Sequence, residues 1–141
     1  MSDETFVDLF ISCKLPSSEW THEAHIRLAW LMLASLPYDS ALDRIRAGIN
    51  RYNDTVLKKA LAYHETITVA FTRLIASGRE ELPLKHTFTD FKSVHSILFD
   101  RTLTALLRHY RRDTLFSPEA RAGFVAPDLL PLPDLAKAAD R

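Results

Sequence analysis

Apolar residues recur at intervals of three and four along most of the chain and glycine is rare, so the pattern predicts an all-α protein. A first helix is expected over residues 3–13, with Phe6, Leu9, Phe10 and Cys13 on one face and Pro16 beyond its end. A second follows Ser17 or Thr21, since a hydroxyl at the N-cap can accept from an otherwise unpaired backbone N–H, and it stops before Pro37. The third, over residues 39–52, buries Leu42, Ile45, Ile49 and Tyr52 at spacings of three, four and three.

The longest periodic run predicts a fourth helix over residues 55–77, capped by Asn53 or Asp54 and followed by Gly78 where a left-handed residue is favoured. After the polar loop REELPLKHTF comes a fifth helix over residues 89–112, kinked or split. Ser117 and Pro118 open a short further helix, because serine caps well and proline fits the first helical position. Three prolines within residues 127–133 oppose helix, so that segment should run extended along the bundle before fraying. The expected organisation is a single domain of about five helices, residues 1–126, and an extended C-terminal tail, residues 127–141.

Several histidines fall on faces that this reading turns inward. In WTHEAHIRLAWLML, residues 20–33, a rotation of about 100° per residue places His22 and His25 on the same side as Ile26, Ala29 and Leu33. On the expected fourth helix His64 shares a face with Leu57, Leu61, Phe71 and Ile75, and Thr68 lies one turn on. A buried imidazole needs a hydrogen-bond partner or a metal. Facing helices that send three imidazoles inward suit a divalent transition metal such as zinc, iron, nickel or copper, with a fourth position for water or substrate.

The first expectation is therefore a small-molecule enzyme with a metal on His22, His25 and His64, hydrolytic if the metal activates water. Tyr63 and Glu65 are the candidate catalytic side chains, and Arg27, Thr68, His95 and Arg121 the candidate substrate contacts. Two alternatives stay open: a noncatalytic binding or accessory protein whose histidines form a structural polar network, and a metal sensor or carrier. His22-x-x-His25 is not the zinc-protease pattern, which needs one more residue between the histidines.

Charge narrows the partners. Lys plus Arg and Asp plus Glu each number 18, so the chain lacks the basic field that nucleic acid or an acidic membrane would attract, and neither is expected as a partner. The cluster RHYRR, residues 108–112, reads as a solvated helix C-terminus favoured by the helix dipole. One cysteine, no signal-peptide pattern and no apolar run long enough for a membrane span point to the cytoplasm. Homo-oligomer formation is left open.

Three segments, WTHEAHIRLAWLML, YHETITVAF and SPEARAGFVAPDLLPLP, carry a resemblance to a family of small bacterial proteins with H-x-x-H-h-R-h-A-W, YHET and SxxAR…PDLxPLP motifs in the same order. The resemblance spans about residues 10–133 and implies a small helical bacterial protein, with His22, His25, Tyr63, His64, Glu65, Thr66 and Arg121 at motif positions. It names no reaction. HYRRDTLF stands where that pattern has a second tyrosine and a serine, so a role tied to that tyrosine has no counterpart here. In outline the arrangement is also similar to DinB-like metal-binding bundles, a likeness of fold alone, because the histidine spacing differs.

Overall fold

The computed structural model describes residues 1–136, so the last part of the expected tail, residues 137–141, lies outside the described residues. Every regular element among them is helical, and five of the α-helices are seven residues or longer, as the apolar spacing predicts. The chain gathers into two units, one spanning Met1–Tyr63 and one running on from His64, and each is described by itself.

The first unit holds α1 (Asp3–Ile11), α2 (His22–Ser35) and α3 (Tyr38–Tyr52). Ser2 caps α1 by accepting from the Thr5 N–H at 3.1 Å, and Thr21 caps α2 by accepting from Ala24 N–H at 3.1 Å. The first helix ends two residues before the expected boundary. Cys13 there adopts a left-handed conformation with φ of 60°, and the Lys14 and Leu15 N–H groups both turn back onto Leu9 O, at 2.8 and 3.0 Å. That reversal buries Leu15 and leaves Cys13 and Leu9 only half-buried, which corrects the face read from the sequence.

On α3 the residues Leu42, Ile45, Ile49 and Tyr52 are all buried, at the spacing that predicted them. Phe10 stacks on both Trp20 and Tyr52, with ring centroids 4.6 and 5.4 Å apart, and the Tyr52 hydroxyl donates to Leu15 O at 2.6 Å. Glycine is required at position 48 because a Cβ there would come within 2.7 Å of Phe10 Cε2.

The expected fourth helix is shorter than its periodicity suggests. Residues Asn53–Leu57 form a π-helical turn that prolongs α3, and Lys58 closes it in a left-handed conformation with φ of 53°. Lys59 N–H donates to Asn53 O at 2.9 Å, so Asn53 and Asp54 belong to the end of one helix and do not cap the next. A single 3-10 turn, Ala60–Ala62, precedes the second unit. Leu61, placed on the inward face by the longer helix, is 88% exposed.

In the second unit α4 spans Glu65–Glu80, followed by α5 (Phe88–Val94), α6 (Thr104–Leu107), α7 (Arg112–Leu115) and α8 (Pro118–Ala122). Gly78 lies inside α4 and not past its end. A Cβ there would stand 3.1 Å from both the His95 ring and the Phe91 ring, so the absence of a side chain allows α5 to approach. The expected long fifth helix is split. Asp100 accepts from Thr102 N–H at 2.9 Å and from the Thr102 and Thr104 hydroxyls at 2.7 and 2.9 Å, a local network that competes with helical bonding. Leu103 then turns left-handed, with φ of 63°. The short α8 starts as expected, with Ser117 accepting from Ala120 N–H and Pro118 first in the helix.

Ala70, Leu106, Tyr110 and Leu115 form the fully buried centre of this unit, with Ile67, Phe71 and Leu74 packed around them. Burying a leucine such as Leu106 or Leu115 contributes about 2 kcal/mol. The proline-rich segment forms no regular element, bends over residues 128–130, and is tied to the rest of the unit by hydrogen bonds. Val125 O accepts from the Tyr110 hydroxyl at 2.6 Å, Asp128 accepts from Arg111 N–H and the Thr114 hydroxyl, and Leu129 N–H donates to His109 O. No helix among the described residues is long and apolar enough to cross a membrane.

Candidate functional site

His64 is the residue that decides how the YHET segment is read. It is buried and stands at the N-cap of α4, where its side chain occupies the place usually taken by serine or aspartate. Nδ1 accepts from the Ile67 N–H at 3.1 Å, and Nε2 lies 2.8 Å from Leu115 O. Because a carbonyl can only accept, Nε2 must carry the proton, and because Nδ1 accepts, it must be bare. The ring is held as one neutral tautomer with both nitrogens in use.

Burial lowers the proton affinity of this imidazole. The bond to Leu115 O opposes that shift, and the positive charge of Arg121 adds to it. Protonation would also break the cap, since Nδ1 would lose the lone pair that Ile67 N–H needs.

Two residues on, Thr66 is fully buried and its hydroxyl works in both directions. It donates to Gly123 O at 2.9 Å and accepts from Val125 N–H at 3.0 Å. His64 and Thr66 thus bind the start of α4 to residues 115–125, which joins the YHET and SPEAR segments of the sequence into one hydrogen-bonded unit. Thr68 turns back to donate to His64 O at 2.9 Å, a local bond to the backbone and not to the ring. Glu65 is half-buried in the first turn of α4, where its charge offsets the positive end of the helix. Tyr63 is half-buried in extended backbone before it. Arg121 sits in the last turn of α8, the end where a cation is favoured.

His22 and His25 lie in the first unit, at the start of α2. His25 Nδ1 donates to Thr21 O at 2.7 Å, and its ring stacks on Trp20 with centroids 3.8 Å apart. Burial, with a smaller contribution from His22, lowers its pKa from 6.5 to about 4, against the pull of the Thr21 carbonyl. Arg27 donates to Asp3 at 2.6 Å and to Met1 O at 3.1 Å, with its guanidinium 4.7 Å from the centre of the Phe6 ring. It binds α1 to α2.

The His25 shift has a sign that can be tested. As pH falls from about 6.5 the unfolded chain takes up a proton that folded His25 refuses until about 4, so stability is full above that window and is lost within it. The expected loss from this one group between pH 7 and 4 is on the order of 3 kcal/mol. The urea midpoint of wild type should fall relative to that of His25→Phe as pH drops across that range. A constant gap would contradict the assignment.

Among the described residues no group of three or more His, Cys, Asp or Glu side chains is placed to hold a metal ion. Of the expected trio, His22 and His25 belong to the first unit and His64 to the second. The donor chemistry of His64 does not fit a metal: an ion could bind only by displacing Ile67 N–H or the Leu115 carbonyl from a ring nitrogen.

No family model, curated protein or solved structure matches this chain. The resemblance drawn from its three segments therefore stands on those segments alone.

A different group of side chains lies elsewhere in the second unit, where a cleft of about 350 Å³ opens between α4, α6 and the proline-rich segment. His95, one of the expected substrate contacts, lines it, with its Nε2 donating to Gly78 O at 3.0 Å and lying 3.7 Å from Glu81. Arg108 and His109 line it as well. The sequence reading passed over both as part of a solvated basic cluster. The signal it lacked was the return of Pro131 and Pro133 to form the opposite wall, which no local spacing encodes.

Proposed function

We propose that this chain is a noncatalytic binding or accessory protein whose histidines, the buried His64 foremost, are hydrogen-bonding framework and not metal ligands. The observation that supports this most directly is the double engagement of His64, which leaves neither ring nitrogen for an ion or a substrate proton. The bond from His25 to Thr21 O and the bond from His95 to Gly78 O follow the same pattern, an imidazole used to satisfy a backbone carbonyl. A bacterial, cytoplasmic protein that binds a small-molecule ligand is consistent with the single cysteine and with the resemblance of the three segments.

Metal analysis of protein purified without chelator and offered zinc, iron, nickel and copper in turn tests the proposal. Wild type, His22→Ala and His64→Ala should all retain well below one equivalent. Stoichiometric metal in wild type that is lost in His64→Ala would overturn it and favour a metal-dependent enzyme.

A further inference from the structure

The cleft in the second unit has the composition of a ligand site. Leu74, Ile97, Leu98, Pro131 and Pro133 give it an apolar lining, and its volume of about 350 Å³ lies at the small end of ordinary small-molecule sites, roughly 300–1,000 Å³. The polar groups are few and placed on different elements. Arg108 caps the end of α6, and its guanidinium makes no hydrogen bond or ion pair among the described residues.

The two imidazoles of the cleft are fixed in orientation. His109 Nδ1 donates to Leu130 O at 2.9 Å and His95 Nε2 donates to Gly78 O at 3.0 Å. In each ring the other nitrogen takes no part in that bond. Such pinning lowers the ordering cost of any contact that the free nitrogen makes with a ligand.

We propose that this cleft binds a small organic monocarboxylate, with the apolar body of the ligand against Leu74, Leu98 and the two prolines and its carboxylate on Arg108. The choice follows from charge and shape. A guanidinium presents the planar fork that matches a carboxylate, while Glu81 on the same cleft opposes a ligand with more than one negative charge. A phosphate dianion would meet one unpaired arginine, one carboxylate and a mostly apolar wall. A single carboxylate on a hydrophobic group meets complementary surfaces on both sides.

This inference rests on reading the chain as a binding protein, and its test can fail separately from that reading. Benzoate is the probe, titrated into the full chain and followed by amide NMR shifts at Ser77, Gly78, His95 and His109. Saturable shifts at these residues are expected, with inorganic phosphate giving none. Arg108→Gln, an exposed substitution that removes no bond of the described fold, should weaken benzoate about tenfold. Glu81→Gln should tighten it about twofold by removing a like charge.

Absence of saturable shifts, equal binding of phosphate, or unchanged affinity in Arg108→Gln would overturn the proposal. Those results in metal-free wild type would leave the noncatalytic framework reading in place. Stoichiometric metal on His64 would overturn that reading whatever benzoate does.

Discussion

Thr66→Ala is expected to destabilise the chain by about 2–4 kcal/mol, because one substitution orphans two backbone groups at once. The fully buried hydroxyl donates to Gly123 O and accepts from Val125 N–H, and no water replaces it without an opened cavity. Thr66→Ser keeps both bonds and loses only a methyl group, so it should cost about 1 kcal/mol. Urea unfolding followed by circular dichroism would order the three proteins as wild type, Ser variant, Ala variant. An Ala variant within 0.5 kcal/mol of wild type, a small shift on the scale of an orphaned pair, would show that the bonds contribute little.

His64→Ala should be comparably damaging, also about 2–4 kcal/mol. Loss of an N-cap costs about 1 kcal/mol, and the buried Leu115 carbonyl loses its donor, at a further 1–3 kcal/mol or so. His64→Asn separates the two contributions. An asparagine oxygen caps as well as any residue but is too short to reach Leu115 O, so it should recover about 1 kcal/mol and no more.

The comparison of sequence with structure turns on these same residues. Periodicity located α2 and α3 well because their apolar spacing is uninterrupted and because Thr21 and Pro37 mark their limits chemically. Ser117 and Pro118 marked α8 for the same reason. The start of α4 was hidden. Asn53 and Asp54 look like caps, and Lys58 gives no glycine or proline to signal the left-handed turn that ends the preceding helix.

The cap that begins α4 is an imidazole, a residue type outside the usual cap preferences, so the periodic run was carried through it. That boundary also decides which way the His64 ring is turned. Counted as the middle of a helix, it joins an inward apolar face; counted as the N-cap, it points along the helix end and meets Ile67 N–H. Both YHET and SPEAR were legible as special segments, but their shared hydrogen bonds, Thr66 to Gly123 and Val125, span nearly sixty positions and leave no local trace.

The central claim is that His64 is a neutral, doubly hydrogen-bonded framework residue, and nitrogen NMR of its ring during a zinc titration tests it most directly. The account predicts a proton on Nε2, none on Nδ1, and no change in either nitrogen at stoichiometric zinc. A ring nitrogen that shifts on adding one equivalent of zinc, with loss of the bond from Ile67 N–H or to Leu115 O, would contradict it.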